Sequence, residues 1–261
     1  MTTFLIACLA FVSGGIWGSF LGVLAIRIPQ GISIISPGSR CDHCTSPLSF
    51  FELIPYYSWI LSKGHCQRCH QKIPREIPIA EFSTGFFFLT VAIFSVSIQE
   101  GLELILFFSF ALPLTMIDIR YHRLPHALTM SGAASAVLFS LMTHGIKGLM
   151  ISISGSLIGF LPIAALATFY KRGIGMGDAF WLGAIGAYTG PERLTLVLLV
   201  ASLSGILSLL GLHVLTYAED RQPISDRPIP FGPFLSLGGI LALAFPGTIH
   251  ILNSFIMEIP I

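Results

Sequence analysis

The chain has 261 residues, of which 54% are hydrophobic and only 10% charged, with a formal net charge of +1. Soluble domains carry about 25% charged residues, so these charges cannot coat a water-soluble globule of this length, and lipid must be the solvent for most of the chain. The net charge says nothing about a nucleic-acid partner, but no basic stripe appears, and no such partner is expected.

In chain order, the first apolar run extends from Phe4 to Ile26. No lysine or arginine precedes it, as a secretory signal would require, so it reads as a retained helix. Gly14, Gly18 and Gly22 recur at four-residue spacing, which predicts close packing against another helix in lipid. Residues 27–77 form the one large polar segment, rich in Pro, Ser, Cys and His. It is too short for a sturdy core of its own. Apolar segments then recur at 78–98, 101–118, 125–143, 148–170, 178–191, 194–217 and 232–256. With the first run at 3–26 they predict an all-α polytopic membrane protein of about eight transmembrane helices. The span at 178–191 is short and relies on glycine and alanine. The expected organisation is a first transmembrane helix (1–26), a cytoplasmic cysteine lobe (27–77) and a membrane-embedded domain (78–261).

Basic residues set the orientation. With the N-terminus outside, the inner loops hold Arg27, Arg40, Lys63, Arg68, Lys72, Arg75, Arg120, Arg123, Lys171, Arg172, Arg221 and Arg227. Only Lys147 and Arg193, of 14 basic residues, then lie outside. The cysteine lobe is therefore expected in the cytoplasm and both termini on the opposite side.

Within the lobe, Cys41-x-x-Cys44 and Cys66-x-x-Cys69 are separated by residues 45–65, slightly more than the usual zinc-ribbon spacer. Two such knuckles bring four thiolates within tetrahedral reach of one Zn²⁺. A cytoplasmic setting disfavours disulfides. Four cysteines close the coordination shell, so the metal would be structural. Reduced, unliganded thiols are the competing reading. His43, His65 and His70 are alternative ligands that a four-cysteine site does not need, and Cys8 reads as a small apolar side chain of the first helix.

The strongest chemical signal is a pair of acids at inner helix ends: Asp118, in the segment from Met116 to Pro125, and Asp178, in Gly175-Met176-Gly177-Asp178. Ionisable groups near the hydrocarbon are functional candidates by default. Two carboxylates about 3 Å apart share a proton. The ionised acid can then take a proton from water while its protonated partner polarises a peptide carbonyl, which is metal-free aspartic-protease chemistry. The competing readings make Asp178 a helix N-cap and pair Asp118 with Arg120 or Arg123. Glu81 is a third acid at membrane depth, expected to pair with a loop arginine or to shape the site.

These residues together resemble the type IV prepilin peptidase (leader peptidase/N-methyltransferase) family. Gly18-Ser19-Phe20-Leu21 with Arg27-Ile28-Pro29 is similar to its opening. The four cysteines match its cytoplasmic motif, and Ile54-Pro55 and Ser58-Trp59 are similar between the pairs. Pro78-Ile79-Ala80-Glu81 resembles its YPxxE-like element. Asp118 to Leu124-Pro125 and Gly175 to Asp178 resemble its two aspartate motifs, and Pro230-Phe231-Gly232-Pro233-Phe234 resembles its last loop. The resemblance implies a bacterial inner-membrane peptidase with Asp118 and Asp178 as catalytic dyad. It would remove the basic leader from prepilins or pseudopilins at the cytoplasmic face and methylate the new N-terminus with S-adenosylmethionine. Three positions depart from the pattern: Phe180 stands where lysine is common, Gly22 where asparagine is, and Glu52 where aspartate is. A nearby ammonium favours an ionised carboxylate, so Phe180 changes the setting of Asp178. The alternatives are a presenilin-like intramembrane protease, from which Ile117 before Asp118 and the lack of a Pro-Ala-Leu sequence distinguish the chain, or a non-catalytic scaffold or proton-relaying transporter.

Overall fold

The computed structural model describes residues 2–36, 38–41, 43–169, 175–218 and 229–245. Lys171, Arg172, Arg221 and Arg227, part of the orientation argument, lie outside them, as does the chain beyond residue 245. The main elements of the described residues are helices: α1 (Thr2–Arg27), α2 (Tyr57–Leu61), α3 (Glu76–Phe94), α4 (Ile98–Tyr121), α5 (His126–Phe169), α6 (Met176–Thr189), α7 (Leu194–Ala218) and α8 (Gly232–Ala244). Five of them, α1, α3, α4, α5 and the helix at 191–211, are long and apolar enough to cross a membrane. The chain forms two compact units, Met1–Gly101 and Leu102–Ile261.

In the first unit α1 pairs with α3. A Cβ on Gly14 would meet the Thr84 carbonyl at 2.7 Å and the Gly85 Cα at 2.8 Å, and one on Gly18 would meet the Ala80 carbonyl and the Glu81 Cα. Gly22 faces the Ile77 Cα. The four-residue glycine pattern is therefore a packing seam, as expected. Tyr56 clips the polar lobe onto this pair. Its hydroxyl donates to the carbonyls of Phe11 (3.0 Å) and Glu81 (3.1 Å), and its ring stacks on Phe11 at 4.8 Å. Tyr56 takes a positive φ of 63°, a conformation costly for a bulky side chain and held here by both hydrogen bonds.

At the end of the first unit α4 begins with a capping arrangement, and most of its length belongs to the second. The Ser97 hydroxyl accepts the Glu100 N–H, while the Glu100 carboxylate accepts the Val96 N–H, which satisfies two otherwise orphaned donors. The 44-residue α5 contains a non-helical residue, Gly145 (φ 63°, ψ −149°). Gly148 packs against Ser140. Residues eight apart in a straight helix are about 12 Å apart, so the chain folds back at Gly145. The expected loop between 143 and 148 is thus one left-handed glycine inside helical sequence.

α6 is the core of this unit. It has 14 residues, and every residue from Trp181 to Thr189 is buried. A helix apolar all round belongs inside a bundle. Its backbone meets α5 directly: a Cβ on Gly155 would strike the Gly186 carbonyl, and one on Gly186 the Gly155 carbonyl. Ser152 Oγ donates to the Ala187 carbonyl at 2.8 Å along the same seam. On another side, Trp181 stacks on Phe107 at 5.6 Å and donates to Ser236 Oγ of α8 at 3.1 Å. Gly190, with φ 74°, ends the helix, and Pro191 follows it.

We expect Gly155→Val to destabilise the protein by about 1–3 kcal/mol or more, since the carbonyl it meets cannot move as a side chain could. Gly211→Ala, with nothing within 4 Å of its Cβ, should be near neutral. Thermal unfolding in detergent compares the two.

Candidate active site and metal centre

The two candidate acids reach their places by different routes. α4 ends at Tyr121, and His122, with φ 52°, turns the chain out of the helix after donating its N–H to the Asp118 carbonyl at 2.8 Å. Asp118 is left in the last turn and is 5% exposed. The N-terminus of α8 comes to it: the Gly232 N–H donates to Asp118 Oδ2 at 2.9 Å. That N–H is one of the unsatisfied donors of a helix start, and a carboxylate is its natural acceptor.

Asp178 lies in the first turn of α6. The N-cap is Gly175, in extended conformation (φ −81°, ψ 138°), so the reading of Asp178 as N-cap is corrected: it is the third helical residue, its N–H bonded to the Gly175 carbonyl at 3.1 Å. Leu124, from the turn after α4, is buried between the two helix starts. It meets Gly177 of α6 at 3.0 Å and Gly232 of α8 at 3.1 Å, measured to the Cβ each glycine lacks. Three chain segments thus converge, and Asp118 and Asp178 lie within electrostatic reach of each other. The Arg120 guanidinium lies 5.6 Å from the centre of the Tyr121 ring. Phe180 packs edge-on to His126 at 4.6 Å and against Phe160 at 4.9 Å, so an aromatic cluster fills the position where a lysine was expected.

Reading the sequence for acids missed Gly232 and Leu124. Gly232 acts through a backbone N–H and Leu124 through its shape; neither has a chemical signature. The Phe231-Gly232-Pro233 segment was visible only as part of a resemblance.

The metal centre lies in the first unit. The Sγ atoms of Cys41, Cys44, Cys66 and Cys69 lie within 4.8 Å of one another and could hold a metal ion. The two knuckles have the same local geometry. In the first, the Cys41 N–H donates to Ser46 and the Thr45 N–H to Cys41; in the second, the Cys66 N–H donates to Gln71 and the His70 N–H to Cys66. Thr45 and His70 occupy matching left-handed positions, φ 55° and 58°. Arg68 ties the knuckles together by donating to the Pro47 carbonyl at 2.8 Å. The Ser46 hydroxyl bond, with burial opposing it, lowers Cys44 to about 6. At Cys69 the Gln71 N–H favours the thiolate, yet burial and the neighbouring thiols push it up to about 11. Four thiolates this close repel one another, and a dication among them is what allows all four to ionise. The donor set and its repeated turn fit Zn²⁺. Nearby, Glu52 is held below the usual carboxylate range by the Ser49 N–H.

An all-helical membrane bundle with two acids at helix ends, joined to a four-cysteine lobe, defines a class of polytopic membrane enzyme. The chain belongs to the prepilin leader peptidase/N-methyltransferase family, and the family model for its peptidase half is that of an aspartic peptidase family. Residues 12–95 match the model described as the bacterial peptidase A24 N-terminal domain, and residues 105–210 match the type IV leader peptidase family. The prepilin leader peptidase/N-methyltransferase of Aeromonas hydrophila is 30% identical, over 92% of this chain and 91% of its own length. That of Bacillus subtilis strain 168 is 31% identical, over 92% and 94%. A type 4 prepilin-like proteins leader peptide-processing enzyme of Escherichia coli O78:H11 is 28% identical, over 90% and 92%. No solved structure matches the chain.

Purified protein should carry about one zinc per chain, and Cys66→Ser should lose most of it and leave the lobe open to limited proteolysis; elemental analysis with a protease time course checks both. Gly232→Ala places a methyl 2.9 Å from Asp118 Oδ2 and should lower peptidase turnover about tenfold or more through displaced geometry, with stability little changed; steady-state cleavage beside a melting curve separates the two effects.

Proposed function

We propose that this protein cleaves the basic leader from type IV prepilins or pseudopilins at the cytoplasmic face of the bacterial inner membrane, with Asp118 and Asp178 as the catalytic dyad. We further propose that it methylates the new N-terminal residue using S-adenosylmethionine. The observation that carries the peptidase reading is the convergence of the two acids, one at the end of α4 and one at the start of α6, with Gly232 bonded to the first.

The chemistry follows from placing two carboxyl groups in one partly desolvated corner. Both cannot ionise easily, so one holds a proton. The ionised partner accepts a proton from the attacking water. The protonated one donates to the scissile carbonyl as the tetrahedral centre forms, and collapse returns a proton to the leaving amine. The Gly232 N–H keeps Asp118 Oδ2 aimed while charge moves. A prepilin suits such a site, because an apolar helix can lie in lipid while its basic leader stays in water.

The distribution of basic residues supports a cytoplasmic lobe and termini on the periplasmic side. Zinc held by Cys41, Cys44, Cys66 and Cys69 would fix the shape of the lobe and, with no open coordination position, take no part in cleavage.

Asp118→Asn and Asp178→Asn should each lower leader cleavage by at least about 10²-fold without loss of fold. The assay is cleavage of a purified prepilin in detergent, with and without S-adenosylmethionine, and the product's N-terminal mass reads methylation. If a well-folded wild-type enzyme leaves several prepilins intact, the peptidase reading fails and a non-catalytic role takes its place.

A further inference from the structure

The first unit contains a buried acid that leader cleavage does not use. Glu81 of α3 is 4% exposed. Its Oε2 accepts the Tyr56 N–H at 2.9 Å, and the Ser19 side chain is its other hydrogen-bond partner. The pairing with a loop arginine expected from sequence is not what holds it: both hydrogen-bond partners, the Tyr56 N–H and the Ser19 side chain, are neutral. Removing a carboxylate from water without a counter-charge is expensive, and an ionisable group kept at such depth marks a functional position.

Glu81 also lines a cavity of about 220 Å³. The cavity wall includes Ser19 and Glu81 from the helix pair, Arg40 and Lys72 beside the metal knuckles, and the indole of Trp59. One cavity thus combines a buried carboxyl group, basic side chains and an aromatic residue. Its ligand should carry a cation, an anion and a flat ring. Methionine-derived adenosyl sulfonium has all three: a sulfonium, a carboxylate and an adenine.

We propose that this cavity binds the methyl donor and that Glu81 faces its sulfonium. The inference rests on the N-methyltransferase reading above and adds to it a binding site and a residue. The charge changes fit the reaction. The lone pair of the pilin's N-terminal amine bonds to the methyl carbon as the carbon–sulfur bond breaks, and the electron pair of that bond goes to sulfur. The product is a neutral thioether, while the methylated amine carries the positive charge and releases a proton to water. Glu81 therefore loses its cationic partner when transfer is complete. It favours the donor over the spent donor, which exchanges the two after each turnover.

The test uses the full-length protein in detergent, with zinc content and elution profile as checks of fold. Calorimetric titrations compare S-adenosylmethionine, sinefungin (an amine in place of the sulfonium) and S-adenosylhomocysteine (a neutral thioether). In wild type the two cationic ligands should bind more tightly than the thioether. Glu81→Gln keeps an acceptor for the Tyr56 N–H and removes the charge. It should weaken both cationic ligands about tenfold or more and leave thioether affinity nearly unchanged. An unchanged ratio in Glu81→Gln overturns the assignment while leaving the methyltransferase reading intact. Ultraviolet cross-linking of labelled S-adenosylmethionine to wild type, mapped by mass spectrometry, locates the bound donor without any variant. Labelled peptides from residues 19–81 support the site, and labels found only beyond Gly101 overturn it. If wild type neither binds the donor nor methylates a cleaved prepilin, the inference falls together with the methyltransferase reading, while leader cleavage, assayed alone, still stands or fails by itself.

Discussion

Helices dissolved in hydrocarbon gain little by hiding apolar side chains from one another, so close backbone approach has to hold them together. Both units of this protein rest on that constraint. In the first, Gly14 and Gly18 bring α1 onto the backbone of α3, and in the second, Gly155 and Gly186 bring the backbones of α5 and α6 into contact. Each seam needs glycine on at least one side, because a methyl would fall on a carbonyl oxygen. The seams then fix what is built on them. α1 and α3 present the surface that Tyr56 grips, and α5 and α8 enclose the short α6.

A helix of 14 residues such as α6 is only about 21 Å long, and α8, with 13 residues, is as short. The first turn of α6, carrying Asp178, is where α4 ends and α8 begins. Helix ends meet there, and helix termini supply N–H groups that nothing inside the helix can satisfy. Asp118 takes one of them, from Gly232. The sequence elements involved are a glycine before a proline at the start of α8 and a leucine in the turn after α4, and they determine where the carboxylates point.

Much of this was legible from residue patterns. Four-residue glycine spacing announced the α1–α3 seam, and the paired Cys-x-x-Cys knuckles announced the thiolate cluster, because both depend on spacing along one short segment. What stayed hidden depends on the backbone or on distant partners. The chain reversal at Gly145 is a single left-handed residue in sequence that is helical on both sides. Thr45 and His70 adopt matching positive φ values although neither residue type advertises that conformation. Tyr56 reaches a carbonyl 45 residues earlier, a contact no local pattern encodes. The family resemblance pointed to the Gly232 segment without giving its role, which is a backbone N–H and so independent of side-chain chemistry.

The two units meet the same difficulty, a carboxylate in a poor solvent, in opposite ways. Asp118 and Asp178 lie within each other's field, and in the proposed mechanism they lower the cost by holding one proton between them, the proton that acid–base cleavage of a peptide would use. Glu81 is instead held by two neutral groups, the Tyr56 N–H and the Ser19 side chain. Its two hydrogen bonds orient the carboxyl group and bring no counter-charge. A pair of acids suits proton transfer; a buried acid with neutral partners beside a cavity suits a cation, as proposed above. The family models divide the chain at nearly the same place, with matches ending at residue 95 and resuming at 105, and the compact units divide it at Gly101. Two electrostatic solutions thus sit in two units, as expected if leader removal and modification of the new N-terminus are separate chemistries carried on one membrane-spanning chain.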